Sequence, residues 1–253
     1  MATAPVRALT TGLGVMLVVG VGLWNQRSHR PVAPLERGFE RSQQPARADA
    51  RTGGAGYVVA EARVPSVAVF PSHDAAVPSM ALPNPNADGA PAVFLVLKRR
   101  ADRLEVLVPV RPNDSTGWVR LDDVVLKSNP YGVRVELGGH RVSVWRGHDL
   151  VLRVPAGVGR AVTGTPKGVY FITELLRAPD PGGSYGPYAL GTSAFSEVLT
   201  DFAGGNGVIG IHGTDDPAGI GKDVSHGCIR LANDVITRLA GLLPLGTPVF
   251  ITP

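Results

Sequence analysis

Ile211-His212-Gly213-Thr214-Asp215-Asp216-Pro217, followed after three residues by Gly221-Lys222-Asp223-Val224-Ser225-His226-Gly227-Cys228-Ile229-Arg230-Leu231, holds the only Cys of the 253-residue chain and two of its six His. A thiol becomes a useful nucleophile when an imidazole in contact can take its proton or stabilise the thiolate. His226 stands two residues before Cys228, where a strand or tight turn would point it differently. His212 lies sixteen residues upstream of Cys228 at the end of the apolar run Gly207–Ile211. It faces the thiol if its strand runs alongside the Cys strand, with Pro217 and Gly219 in the connecting loop. Gly227 tolerates φ > 0, which turns the backbone N–H groups of residues 226–228 toward one point, a nest able to hold an oxyanion. Arg230 is placed either to orient a substrate carboxylate or to fix the loop by pairing with an acid such as Asp223.

The run Ser225-His226-Gly227-Cys228-Ile229-Arg230, preceded by Ile211-His212-Gly213-Thr214 and by Tyr185-Gly186-Pro187-Tyr188-Ala189-Leu190-Gly191, closely resembles the L,D-transpeptidases of bacterial cell walls with a YkuD-type catalytic domain. The resemblance extends from about Tyr131 to Pro253 and includes Gly164-Thr165-Pro166-Lys167-Gly168. It implies Cys228 as nucleophile, His212 as its base, and the carbonyl of Gly213 as the group that orients the imidazole. His226 and Gly227 would shape the oxyanion site, and Ser225 and Arg230 would support the loop and the substrate. Tyr188 matches a tyrosine near the donor site, with Tyr185 competing for that role. The resemblance further implies peptidoglycan stem peptides as substrates, 3-3 cross-links made through a thioester, no cofactor, and acylation by carbapenem-type β-lactams.

An L,D-carboxypeptidase using the same thioester and a catalytically silent wall-binding protein are the alternatives. Sortase-like cysteine acyltransferases carry their Arg on a later strand, so the Cys228-Ile229-Arg230 order argues against them. His212, His226, Asp215 and Asp216 can be gathered on paper as metal ligands, but the chain has no HExxH and no paired cysteines, so no metal is expected. His140 and His148 fall in hairpin turns and read as solvated.

Composition organises the rest. Residues 1–56 carry seven Arg against three acids, while the remaining 197 residues balance at eighteen of each, so the positive charge is not on the folded part and nucleic acid is not an expected partner. Ala8–Trp24 is uncharged and flanked by Arg7, Arg27 and Arg30, which predicts a membrane anchor over residues 8–24, with a cleaved export signal as the alternative. Basic residues on both flanks leave the orientation undecided by charge, so the expected extracytoplasmic location rests on the resemblance to cell-wall enzymes. Residues 25–56 are poor in large apolar groups and read as a linker.

The expected fold is mainly β: an N-terminal membrane segment (1–24), the linker, a small SH3-like β-barrel (57–128), then a β-rich catalytic domain (131–253) with a C-terminal helix. The barrel rests on β-like runs at Tyr57–Val64, Val93–Lys98, Leu104–Val110 and Gly117–Arg120. Its stretch Arg111–Val119 loosely resembles bacterial SH3-like modules. A meander is expected from Val133–Leu137, Arg141–Trp145 and Leu150–Pro155, then strands at Gly168–Thr173 and Thr247–Thr252. Asn233 reads as the N-cap of a helix that ends at Pro244 and Gly246.

Overall fold

The computed structural model describes residues 51–52, 56–201 and 205–253. The expected membrane segment and nearly all of the linker lie outside them. Among the described residues no helix is long and apolar enough to cross a membrane.

The first half contains β1 (Arg51–Thr52), β2 (Gly56–Ala62), β3 (Ser66–Val69), β4 (Met80–Pro83), β5 (Val93–Arg99), β6 (Arg103–Leu107), β7 (Thr116–Arg120) and β8 (Val124–Asn129). β2 pairs with β1, β5 and β8, and the sheet continues through β6 to β7, while β3 and β4 form a separate hairpin. In β5 the consecutive residues Val93, Phe94, Leu95 and Val96 are all buried, the pattern of a strand covered on both faces. Phe94 and Val96 join Val67, Val69, Leu104, Val106 and Val119 in one core. Val93 and Leu95 face the other way and join Val59, Leu107 and, from the second half of the chain, Phe171. The segment expected to form a self-contained SH3-like barrel therefore shares one of its two cores with the catalytic half.

The second half contains β9 (Tyr131–Glu136), β10 (Arg141–Arg146), β11 (Asp149–Pro155), β12 (Val158–Gly159), β13 (Gly168–Arg177), β14 (Tyr188–Phe195), β15 (Val208–His212), β16 (Asp223–Ser225), β17 (Ile229–Arg230), α1 (Asn233–Leu242) and β18 (Pro248–Thr252). Eight of these strands form one curled sheet in the order β11-β10-β9-β18-β13-β14-β15-β17. Alternation along the strands sends Val133, Val135, Ile172, Ile209, Ile211, Val249 and Ile251 to one face, where Ile236 and Leu239 of α1 complete the core. The opposite face carries the functional groups.

Polar contacts reinforce the junction between the halves. The Arg111 guanidinium donates to the carbonyls of Ser196 at 2.6 Å, Asn206 at 2.9 Å and Leu199 at 3.1 Å, and it stacks on the Phe195 ring. Asn113 makes two 2.8 Å hydrogen bonds to the Phe195 backbone, one as donor and one as acceptor. Asn129 donates to Thr247 Oγ1 at 2.9 Å within the buried interior. The connection between β14 and β15 is thus gripped from outside the catalytic half just before the strand that carries His212.

Candidate active site

β15 and β17 run parallel, with Ile211 opposite Ile229 and His212 opposite Arg230. Leu231 N–H donates to the His212 carbonyl at 2.8 Å. Period-2 alternation puts Ile209 and Ile211 in the core and leaves Gly210 and His212 on the opposite face. Cys228 immediately precedes β17, and its Sγ accepts the Gly210 N–H at 3.4 Å. A Cβ on Gly210 would lie 3.9 Å from His212 Cδ2, so the thiol and the imidazole both lie against the bare backbone of Gly210. His212 Nδ1 lies 2.6 Å from the Gly213 carbonyl. A carbonyl only accepts, so Nδ1 carries the proton and Nε2 keeps its lone pair.

Electrostatics define the resting state. Burial lowers the His212 pKa to about 4, the Gly213 hydrogen bond opposes this, and the Arg230 charge assists it. Burial pushes the Cys228 thiol up, opposed by the Gly210 N–H and by Arg230. Both shifts favour a neutral imidazole and a neutral thiol near pH 7. Alkylation of Cys228 by iodoacetamide should therefore keep accelerating from neutral pH to beyond the ordinary thiol value of 9.0. A rate flat from about pH 5 to pH 8 would instead indicate a preformed thiolate–imidazolium pair.

The loop before the nucleophile is internally tied. Ser225 is buried, donates from Oγ to the Cys228 carbonyl at 2.6 Å, and accepts the Gly227 N–H at 3.1 Å. Gly227 adopts φ +123°, and a Cβ there would lie 2.8 Å from Ile209 Cδ1, so glycine is required for both conformation and space. The Gly227 N–H is committed to Ser225 Oγ, so the three amides of residues 226–228 are not all free to point at one oxyanion. His226 is exposed on this loop.

Arg230 does not pair with Asp223. Asp223 lies 2.8 Å from His140 Nε2 instead, a contact at the exposed surface. Arg230 Nε is buried with no hydrogen-bond acceptor among the described residues. Tyr185 covers His212 with ring centroids 4.8 Å apart. Tyr188 packs against the hydrophobic core, and its carbonyl accepts the Gly213 N–H at 3.3 Å. Of the two tyrosines, Tyr185 is the one whose ring lies against His212. Asp215 and Asp216 are exposed, and among the described residues no His, Cys, Asp or Glu grouping is arranged to hold a metal.

Three supports escaped the sequence reading. Asn233 is the first helical residue, not the N-cap, and its Oδ1 accepts the Thr214 N–H at 2.8 Å. A Cβ on Gly213 or Gly186 would overlap that same oxygen, so the turn after His212 is built around Asn233. Thr165 Oγ1 donates to the Gly227 carbonyl at 2.8 Å and accepts the Gly159 N–H at 2.9 Å, which holds the nucleophile loop from below. Glu174 is the third, a buried carboxyl on the functional face.

Glu174 stands opposite Gly191, which stands opposite Gly210, so a row of backbone without side chains separates the carboxyl from the reacting pair. Asn86 of the first half donates to Glu174 at 3.4 Å. Burial, then Asp88, raises the Glu174 pKa from 4.5 to about 7. A raised carboxyl stabilises the fold fully below its unfolded value, and that contribution is lost as pH rises through about 7. Glu174→Gln should lose less stability than the wild type between about pH 5 and pH 8, by on the order of 2 kcal/mol, measured by thermal unfolding. Parallel curves for the two proteins would show that the carboxyl is not raised.

A lone thiol and a buried imidazole thus lie against the same glycine on one face of the curled β-sheet, with an arginine two residues beyond the cysteine. Residues 130–251 match the YkuD family, the L,D-transpeptidase catalytic domain, and the chain belongs to that family. It is 40% identical over 124 residues to YkuD of Bacillus licheniformis, an alignment covering 49% of this chain and 67% of the relative. To YkuD of Bacillus subtilis strain 168 it is 36% identical over 122 residues, covering 48% and 66%. Among solved structures, Bd1075 of Bdellovibrio bacteriovorus is 30% identical, with coverage of 48% of this chain and 47% of that one and a TM-score of 0.39. The chain thus spans about two thirds of the Bacillus proteins and about half of the Bdellovibrio chain.

Proposed function

We propose that the chain is an extracytoplasmic L,D-transpeptidase that forms 3-3 cross-links in peptidoglycan through a Cys228 thioester. The observation that carries this reading is the placement of Cys228 Sγ and the His212 ring against the same residue, Gly210. In the first half-reaction His212 Nε2 takes the thiol proton while sulfur attacks the carbonyl of an L-configured centre in a stem peptide. The Cys228 N–H receives the developing oxyanion. Collapse breaks the amide bond, His212 returns the proton to the leaving terminal D-amino acid, and a thioester remains. In the second, the side-chain amine of a neighbouring stem's diaminopimelate attacks the thioester, and its proton passes through His212 back to sulfur. Arg230 would anchor the donor carboxylate and Tyr185 would close over the bound stem. Residues 8–24 would tether the enzyme to the membrane.

The test is intact-protein mass spectrometry of the full chain with a carbapenem and with a purified disaccharide-tetrapeptide, beside Cys228→Ala. The expected result is a covalent adduct absent from Cys228→Ala, with a cross-linked muropeptide dimer as product. A shortened monomer in place of the dimer would make the enzyme a carboxypeptidase, with water as acceptor. Neither adduct nor product would overturn the thioester reading.

A further inference from the structure

On the same face of the sheet as the catalytic pair, but on its other flank, lies a cleft of about 330 Å³ lined by Tyr57, Trp145 and Phe250, with Arg134 and His148 at its mouth. Pairing explains its composition. Trp145 stands opposite Gly132, and Arg134 opposite Phe250. Gly132 and Arg134 are two residues apart, while Val133 and Val135 between and beside them fill the core, so all four positions share the functional face. The register of β10 against β11 shifts between Val144 and Trp145, an irregularity of the kind that re-aims a side chain. Gly132 forms the floor: a Cβ there would lie 3.1 Å from the Tyr57 hydroxyl. The first half of the chain therefore supplies one wall and the catalytic half the others.

We propose that this cleft binds an N-acetylated hexosamine ring of a glycan strand. Two features select that ligand. The half-buried ring of Trp145 and the tilted pair Tyr57–Phe250, with centroids 6.1 Å apart, offer apolar planes suited to the C–H face of a pyranose. The Arg134 guanidinium in the lining only donates, and no carboxylate lines the cleft, which favours an acetamido carbonyl over an ammonium or a guanidinium. Arg134 already lies over the Trp145 ring at 5.4 Å, poised beside the stacking plane. The choice of an acetamido sugar over another pyranose rests on the peptidoglycan reading above. β9 and β15 are separated by β18, β13 and β14, so the cleft is distinct from the site around Cys228.

The test is calorimetric titration of the full chain with an N-acetylglucosamine tetramer, which carries no peptide, on the Cys228→Ala background. Saturable binding is expected, weakened by about tenfold in Trp145→Ala and largely kept in Trp145→Tyr. Arg134→Ala, at an exposed position, should weaken it independently of any folding defect in the Trp145 variant. Absence of saturation, equal affinity in wild type and Arg134→Ala, or displacement of the sugar by a free stem tetrapeptide would overturn the proposal. Carbapenem acylation, measured in the Cys228 wild type and its Trp145→Ala and Arg134→Ala variants, should stay unchanged. Sugar binding without acylation would remove the thioester reading and leave the cleft, and acylation without sugar binding would do the reverse.

Discussion

With His212 replaced by Asn, acylation of Cys228 by a carbapenem should slow by about 10²–10⁴-fold while the protein stays folded. Asn is the informative substitution because its amide nitrogen takes the place of Nδ1 and can still donate to the Gly213 carbonyl, the bond that His212 makes from Nδ1 at 2.6 Å. What it lacks is the lone pair at the Nε2 position. Burial holds the imidazole pKa near 4 and raises the thiol, so few thiolates exist at neutral pH without a base to take the proton. A time course of adduct formation measures the effect. A variant within tenfold of the wild type would mean that another group, such as His226, takes the proton.

Phe171→Ala should destabilise the whole described fold by about 3–5 kcal/mol, and in a single transition. The ring is fully buried, and its neighbours Val59, Val93, Leu95 and Leu107 all come from the first half of the chain. Cavity formation there removes packing from both halves at once. Arg111 and Asn113 tie the same halves through five hydrogen bonds to Phe195, Ser196, Leu199 and Asn206. Urea unfolding followed by near-ultraviolet dichroism would show one shifted transition. Two transitions, with the first half unaffected, would show that the halves fold independently and that residues 56–129 are an appended module.

The nucleophile loop and the strand ending in His212 are legible because their signals are local: one Cys, a permissive Gly beside it, and an apolar run that stops at a His. The meander and the C-terminal helix are legible through periodicity. β14 is not, because Tyr188–Phe195 is rich in small residues and buried over most of its length, which erases the alternation that marks a half-exposed strand. Val93–Val96 reads correctly as a strand, yet an apolar run does not reveal which of two cores each side chain joins. Asn233 carries a cap signature and stands next to a helix start. Its amide oxygen goes to Thr214 instead because the chain returns there from His212, a long-range fact with no trace in the neighbouring residues. The same holds for Asp223, which has Arg230 nearby in sequence and His140 nearby in space.

β17 is two residues long and is the last strand in the order of its sheet. The nucleophile beside it thus belongs to a rim and not to the bottom of a chamber. An enzyme built around an enclosed chamber processes molecules small enough to enter and must release each one. A reaction centre carried on a rim can be laid against a material, with no upper bound on the size of what it joins, and its turnover is governed by how the protein moves over that surface.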